Sequence, residues 1–276
     1  MKPLFNDWKS RYSLLWLMMW FIAAAFFSGS SSEHHLADSL KGIHLTHPLG
    51  CDTFGRDMLA TILRGSLTSA AFALFTTITA IFLAIVIGGL TALTPKTVQF
   101  MLSRLLDLFL AFPSLLFALG WAVIRGPGWS TLIFALMIES VPSLTRLVHV
   151  RIREILTHDY IEAAKNLGAD SLWIMKKHLV PPVLSICMVK LPNLFAHALM
   201  AEATLSFLGL GAPLGKDTWG SLLAQGKEYL IEAPHIALTS GFPLVLTVLS
   251  LQVLSERLST TIKGLNTFRK MIHVES

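Results

Sequence analysis

Charged side chains are scarce in this sequence. Asp, Glu, Lys and Arg make up 14% of its 276 residues, whereas an ordinary soluble domain carries roughly 25% charged residues. Hydrophobic residues account for 53% of the chain, and the mean hydropathy is +0.62. The apolar runs recur too often and last too long to be core helices of a soluble domain. The composition therefore excludes that class and indicates an integral membrane protein built as one polytopic bundle.

Cysteine is almost absent too. Cys51 falls in a polar segment outside the membrane, and Cys187 lies near the inner end of the fifth apolar run. We predict no disulfide, because cysteines on opposite sides of a bilayer cannot reach bonding distance. Neither has a second Cys or His at zinc spacing. We predict that four histidines are solvated loop residues and do not bind a metal: His34, His35, His44 and His47.

Enzyme signatures are also missing. A phosphate-cradling loop needs Gly, four residues, Gly-Lys and then Ser or Thr. The segment from Gly211 to Asp217 has three residues between its glycines and ends in Asp. No nucleophile elbow and no HExxH pattern occurs. We therefore expect a chain that has no catalytic residues, binds no cofactor and does not hydrolyse nucleotide itself.

What the sequence does contain is a series of long apolar runs. About 20 apolar residues cross a hydrocarbon core of about 30 Å, and on this basis we predict an all-α fold with six transmembrane helices. The predicted spans are 13–27, 66–93, 104–124, 131–150, 183–208 and 236–254. The first run is short, and its basic flank also resembles a secretory signal peptide. We favour a retained span, because nothing after it looks like an exported soluble domain.

The distribution of Lys and Arg predicts the orientation. With the N-terminus inside, fifteen of the 22 basic residues fall in cytoplasmic segments and six fall outside. This asymmetry follows the positive-inside rule and places both termini in the cytoplasm. The net charge of +5 is thus a signal of topology. It does not indicate nucleic-acid binding, which would require a basic soluble face.

A few ionisable residues interrupt the predicted spans, where such groups are costly and often functional. Arg104 and Asp107 lie three residues apart and are predicted to pair on one helix face as a structural anchor. Glu139, Lys190 and Glu202 lie deeper and are candidates to line a translocation path. The alternative for these three is a structural partner on a neighbouring helix or a position at the membrane interface.

One long polar segment, 151–182, separates the fourth and fifth spans on the predicted cytoplasmic side. Asp159 and Glu162 are spaced to start a helix in the manner of a capping box. Gly168 is expected to end that helix. A second short helix is expected to begin near Asp170 and to stop at Pro181. Loops of this length are uncommon, which indicates a function.

This segment carries a family resemblance. Glu162, Ala163, Ala164 and Gly168, followed by Pro181, resemble the signature of the membrane-spanning subunits of ATP-binding-cassette importers. The family's short helix here docks into a groove on a cytoplasmic ATPase, so the resemblance implies that these residues are the coupling residues. A second match is the outer stretch 47–57, and a third is 202–220. With His178, where other branches carry an aliphatic residue, they narrow the resemblance to the oligopeptide, dipeptide and nickel permeases.

The resemblance implies an architecture and a set of partners. We expect the type I importer permease fold, as the C-type subunit of a permease pair, in the bacterial cytoplasmic (inner) membrane. The expected divisions are 1–65, a first helix with an extracytoplasmic segment; 66–260, a five-helix core with the coupling loop 151–182; and 261–276, a cytoplasmic tail. The expected partners are a homologous second permease, two cytoplasmic ATP-binding subunits, an extracytoplasmic solute-binding protein and membrane lipid.

The predicted function is translocation of di- or oligopeptides by alternating access, driven by ATP hydrolysis on the partner ATPases. A nickel or metal-chelate importer is the alternative within the same family. A third hypothesis from another class is an ion-coupled carrier that works alone, with Lys190 and Glu202 as its ion-binding residues.

Overall fold

The computed structural model describes residues 7–27, 35–213 and 215–274, and side chains as far as Thr261. Those residues form helices and turns, with two isolated β-bridges, His44 with His47 and Cys51 with Asp57. The helices are α1 (Trp8–Phe27), α2 (Met58–Leu93), α3 (Lys96–Ala111), α4 (Ser114–Arg125), α5 (Trp129–Leu156), α6 (Asp159–Asn166), α7 (Ser171–Ile174), α8 (Val180–Phe207), α9 (Trp219–Glu228) and α10 (Pro234–Val274). The all-α fold is as predicted.

Among the residues that the structure describes, four segments are long and apolar enough to cross a membrane: Met58–Leu93, Trp129–Leu156, Ser171–Phe207 and Pro234–Thr261. The pair α3 and α4 counts as a fifth if it is one bent span. The first predicted span corresponds to α1, which has 20 residues and is not among these five. Within the described residues, length and composition therefore support four or five spans, and six were predicted for the chain.

The third predicted span is not one straight helix. α3 and α4 meet at an angle of 82°, and the break falls at Phe112 and Pro113. Pro113 has no N–H to donate, and its ring forces the preceding residue out of the helical region. Phe112 accordingly has extended backbone angles, φ −95° and ψ 135°. The prediction of one unbroken helix over 104–124 was wrong for this reason.

The segment before α8 also differs from expectation. Pro181 and Pro182 were predicted to stop a helix, but α7 and α8 are joined by a π-helical turn, Met175–Leu179, into one continuous helix. A proline ring clashes with the carbonyl four residues before it in a regular helix. The wider π turn lies where those carbonyls are and accommodates both rings. The prolines therefore follow a local widening and do not end the helix.

Prolines also occur inside three spans, Pro142 in α5, Pro192 in α8 and Pro243 in α10. The N-terminal end of α8 packs beside the C-terminal end of α5 in one apolar cluster, through Val183 and Ile155 among others. The two helices therefore run antiparallel, joined by α6. We call this part of the bundle the α6 end.

α2 packs most extensively against α5, and a glycine sets how closely. A Cβ at Gly88 would lie 2.8 Å from the side chain of Val148 and 2.9 Å from the carbonyl oxygen of Thr145. Without a side chain there, the two backbones approach as small residues allow in membrane helix pairs. A second apolar cluster surrounds the fully buried Trp219 and joins α2, α8, α9 and α10.

Arg56 fixes the polar segment before α2 to the bundle, at the end that lies opposite the α6 end. Its Nε donates to Oδ2 of Asp52 at 2.6 Å, and its two terminal nitrogens donate to the carboxylate of Asp217, each at 3.1 Å. Burial alone lowers the pKa of Arg56, but Asp217 and Asp52 outweigh it and raise that pKa above its ordinary value. This clamp pins the segment to the turn before α9.

Candidate functional site

The first candidate site is α6 and the turn that ends it. Gly168 has φ +83°, a left-handed conformation that glycine adopts without steric cost. Its N–H donates to the carbonyl of Lys165 at 2.9 Å, and the N–H of Ala169 donates to the carbonyl of Ala164 at 3.0 Å. This pair of bonds is a Schellman motif, which closes a helix C-terminus. Gly168 thus ends α6, as predicted.

The start of α6 differs in detail from the prediction. The helix begins at Asp159, as expected, but the capping residue is His158 and no side chain caps the first turn. Asp170 likewise precedes α7 without a side-chain cap. The capping box expected from Asp159 and Glu162 is therefore not formed, and the helix is held by packing instead.

That packing depends on Ile161. Its side chain is fully buried in the apolar cluster of the α6 end, which also contains Ile155 of α5, Ile174 of α7 and Leu179. The other residues of α6 are exposed or half-buried. A single apolar anchor on an eight-residue amphipathic helix orients its opposite face outward.

The outward face combines small, charged and apolar groups. Glu162 and Ala163 are exposed, and Ala164 is half-buried. Leu167, next to the helix end, is 89% exposed, and Tyr160 and Trp173 are also exposed. Exposed apolar side chains beside a smooth Ala face are typical of a surface that another protein covers.

Aromatic rings connect α6 with the π turn. The ring of Tyr160 lies 5.4 Å from that of His158 and 5.5 Å from that of His178, measured between centroids. His178 in turn lies 5.2 Å from Trp173, and Nζ of Lys177 is 4.6 Å from the centroid of the Trp173 ring. His178 is therefore part of the same surface as the residues of α6. Pro181 is exposed in the first turn of α8, three residues after His178.

The second candidate site is a groove between α5 and α8, with a volume of about 680 Å³. Its polar lining residues are Glu139, Ser140, Ser143, Arg146, Lys190, Asn193 and His197. Two of the three predicted path residues, Glu139 and Lys190, are thus brought together on one surface. We call it the α5–α8 groove.

A contact between a histidine and a carboxylate crosses the groove at one end. Nε2 of His197 on α8 lies 3.1 Å from Oε1 of Glu139 on α5. Both residues also line a second cavity, of about 300 Å³, which reaches Ser114 at the start of α4 and Thr204 on α8. The pair therefore stands at the junction of two cavities that follow one another along α8.

At the α6 end of the groove, Arg146 belongs to a small charge network. Nη1 of Arg146 lies 3.4 Å from Oδ1 of Asp107, and Nη1 of Arg104 lies 3.8 Å from Oδ2 of the same carboxylate. The structure therefore contains the predicted pair of Arg104 and Asp107. The pair also ties α3 to α5, because Asp107 is shared with Arg146.

Glu202, the third predicted path residue, lies elsewhere. Its side chain is fully buried and accepts hydrogen bonds from Ser206 at 2.8 Å, Thr218 at 2.8 Å and Ser69 at 3.3 Å. The Ser69 hydroxyl also accepts from the backbone N–H of Trp219 at 3.0 Å. These bonds join α2, α8 and α9. The structure thus places Glu202 in a closed polar network. This is the alternative to a place in the translocation path, namely structural partners on neighbouring helices.

Sequence reasoning missed two of these residues. Arg146 was counted only as a basic residue of the cytoplasmic side, and Asp217 was not singled out. A signal for Arg146 was present, since it follows Glu139 by seven residues, or two helical turns. No comparable signal marks Asp217. Among the residues described, no group of three His, Cys, Asp or Glu side chains could hold a metal ion; His34 lies outside them.

Comparison with known proteins extends these observations. The profile of the family described as "Binding-protein-dependent transport system inner membrane component" matches residues 80–263. A protein of Brucella suis is 35% identical over 78% of this chain and 72% of its own. The dipeptide transport system permease protein of Alkalihalophilus pseudofirmus is 30% identical over 84% and 76%. The di/tripeptide transport system permease protein of Pseudomonas aeruginosa is 30% identical over 79% and 72%.

Solved structures show the same fold. An inward-facing crystal form of the MetNI methionine ABC transporter matches with a TM-score of 0.60 and 20% identity, over 74% of this chain and 97% of the matched chain. A second crystal form of that transporter matches with a TM-score of 0.54 and 21% identity, over the same shares of both chains. At this identity the likeness describes the fold and leaves the substrate open.

Proposed function

The chain belongs to the family of binding-protein-dependent transport system inner membrane components, and we propose that it is the translocation subunit of an ATP-driven importer for di- and oligopeptides. The observation that carries the proposal is the identity of 30% or more, over most of the chain, with permeases named for dipeptide and di/tripeptide transport. The groove between α5 and α8 and the exposed face of α6 supply the two surfaces that such a subunit needs.

The face of α6 is the docking site for a partner ATPase. Glu162, Ala163 and Ala164 would contact its groove, with Leu167 inserted beside them. The outward-facing apolar side chains supply the area for burial, and the helix is rigidly joined to the bundle through Ile161. Movement of the ATPase would therefore be transmitted to the ends of α5 and α8.

Alternating access follows from that link. ATP binding favours one arrangement of the bundle only if it changes the contacts at α6 differently in the two states. Because α5 and α8 both start or end beside α6, a shift of α6 changes their separation. Pro142 and Pro192 lie at the level of the groove and are natural positions for these helices to bend. The groove would then open alternately towards each side.

The remaining assignments follow from the family. The chain would pair with a homologous permease subunit, two cytoplasmic ATP-binding subunits that carry out hydrolysis, and an extracytoplasmic solute-binding protein. The α6 end would face the cytoplasm, with both termini on the same side, because the ATPases are there and the basic residues are concentrated there.

Uptake measurements in a deletion strain test the proposal. Restoring the chain together with its partner subunits should restore uptake of a labelled dipeptide and leave nickel uptake unchanged. Omission of the ATPases should abolish the dipeptide signal. Restored nickel uptake without dipeptide uptake would establish the nickel alternative. Transport by the purified chain alone under an ion gradient would establish the ion-coupled carrier and overturn the proposal.

A further inference from the structure

The carboxylate of the α5–α8 groove lies at one end of it, and the Lys and Arg side chains lie at the other. On α5, Glu139 and Arg146 are seven residues apart, and on α8, Lys190 and His197 have the same spacing. Seven residues are two helical turns, so the members of each pair lie on one helix face about 10 Å apart. Because the two helices run antiparallel, Glu139 meets His197 at one end, and Arg146 and Lys190 both line the α6 end.

The wall between these ends carries no charge and combines polar groups with the apolar side chains of Leu144 and Leu194. Ser140 and Ser143 of α5 and Asn193 of α8 line it, and their hydroxyl and amide groups both donate and accept hydrogen bonds. Such groups match the amide N–H and carbonyl groups of a peptide backbone. From one end to the other, the groove therefore offers a carboxylate that can bind an ammonium group, an uncharged stretch with hydrogen-bonding groups, and the positively charged side chains of Lys190 and Arg146.

The charged groups at the two ends differ in how they are satisfied. Glu139 is paired with His197, and Arg146 is paired with Asp107. Within the described part of the chain, no carboxylate pairs with Lys190, whose side chain is exposed in the groove. An ammonium group inside a membrane span is costly without a partner. This ammonium is therefore positioned to receive an anion that the chain does not itself provide.

The separation limits the size of a molecule that could reach both ends. An extended peptide spans at most about 3.3 to 3.6 Å per residue, so about 10 Å corresponds to three residues. The long side chains of Lys190 and Arg146 shorten the distance that a ligand must bridge, which admits two. The volume of about 680 Å³ is ordinary for a small-molecule site.

We propose that the α5–α8 groove binds a free di- or tripeptide as a zwitterion, with its ammonium group on Glu139 and its carboxylate at Lys190 and Arg146. This inference rests on the proposed function and assigns the residues that would select the cargo within the membrane. His197 holds the carboxylate of Glu139 in the absence of substrate, and the incoming ammonium group displaces it. Selection would then occur in this subunit as well as in the solute-binding protein.

Blocked peptides provide the test. The complete transporter is reconstituted in proteoliposomes, and uptake is compared for labelled trialanine, N-acetyl-trialanine and trialanine amide. Glu139→Gln should reduce the preference for trialanine over the acetylated peptide by about tenfold, the effect of losing one charge-assisted hydrogen bond. Lys190→Gln should reduce the preference for trialanine over the amide by a similar factor. Because the same binding protein is used throughout, its own preference cancels between variants.

Matched charge removals outside the groove serve as controls. Glu154→Gln, on the same helix as Glu139, and Lys96→Gln, at the exposed start of α3, should retain both preferences. His197→Ala provides a change of opposite sign, because it removes the ring nitrogen that contacts Glu139 and leaves that carboxylate without its competitor. The preference for a free N-terminus should therefore rise in this variant, and this increase tests the inference even if Glu139→Gln fails to assemble.

The outcomes are distinguishable. Uptake of trialanine with unchanged preferences in Glu139→Gln, Lys190→Gln and His197→Ala would overturn the zwitterion site and leave peptide import intact. A wild-type transporter that moves none of the three peptides, although its ATPases are active, would overturn the proposed function itself. Shifts in the predicted directions, confined to the groove variants, would establish Glu139 and Lys190 as residues that determine specificity.

Discussion

His197 Nε2 and Glu139 Oε1 lie 3.1 Å apart and join α8 to α5 at the junction of two cavities. The contact links residues 58 positions apart, on either side of the segment that contains α6. An increase in the separation of α5 and α8 at this level would lengthen or break this contact. The pair is thus positioned to respond to events at α6 and to cargo in the groove.

Exposure of Leu167 leads to a prediction about docking. Leu167→Asp should weaken association with the ATPase, because this side chain is 89% exposed and its apolar area would be buried only in the assembly. Pull-down of the ATPase from detergent-solubilised membranes measures the effect, which we expect to exceed tenfold.

Ile231→Asp is the matched control, since Ile231 is 97% exposed in the turn after α9, away from α6. Equal retention of the ATPase by the two variants would show that Leu167 lies outside the docking surface.

The left-handed backbone at Gly168 leads to a second prediction. Gly168→Val should disrupt coupling, because a β-branched residue is strained at φ +83° and would open the end of α6. Gly168→Asn should retain most uptake, because Asn tolerates this conformation. A Cβ here would meet nothing within 4 Å in this chain, so steric conflict within the subunit does not confuse the comparison.

Peptide-stimulated ATP hydrolysis and uptake are measured together for both variants. Loss in both to the same extent would point to contact with the partner, and not backbone conformation, as the reason for glycine.

Ile161 leads to a prediction about stability. Ile161→Ala removes most of a fully buried side chain and should lower the free energy of unfolding by about 2 to 5 kcal/mol. Reversible unfolding in mixed micelles measures this loss. Ile231→Ala, at an exposed position, should change it by less than about 0.5 kcal/mol. A loss in Ile161→Ala no greater than in the control would mean that α6 is not anchored through this residue.

Local chemistry explains which features the sequence predicted well. The end of α6 at Gly168 depends only on backbone preferences of adjacent residues, and it was predicted correctly. The bend at Pro113 was not, because proline ends, kinks or is accommodated in a helix according to its neighbours. Pro142 lies inside a continuous helix, and Pro181 follows a π turn, so the same residue type has three different outcomes here.

The groove was only half predictable for a different reason. Glu139 and Lys190 were recognisable as costly charges in apolar runs, but which charge faces which depends on the rotation and packing of α5 and α8. Glu202 belongs to the same category by sequence and is nevertheless enclosed by Ser69, Ser206 and Thr218. Ser206 follows Glu202 by four residues, which is a helical spacing, but Ser69 and Thr218 come from other elements and leave no recognisable spacing, so the complete network could not be predicted.

The Arg56 clamp leads to a prediction about the outer segment. Arg56→Met and Asp217→Asn should each lower the free energy of unfolding, and the double variant should lose less than the sum. We expect a coupling energy of about 1 to 3 kcal/mol, because the two terminal nitrogens of Arg56 bond to Asp217 and the Arg56 side chain is 11% exposed. Additive losses would show that the two residues do not interact in the folded protein.

Glu202 leads to the last prediction, which separates its structural role from a role in the transport path. Glu202→Gln replaces an acceptor of three hydroxyl hydrogen bonds with an amide whose NH₂ group faces donors. A buried group that loses its partners costs about 1 to 3 kcal/mol, and the free energy of unfolding should fall by that amount. Since the side chain does not line the α5–α8 groove, the preferences among trialanine and its blocked forms should remain those of the wild type.

Glu139→Gln should show the reverse pattern, with altered preference and little loss of stability, because its carboxylate is only half-buried. A change in peptide preference in Glu202→Gln, with normal stability, would place Glu202 in the path after all.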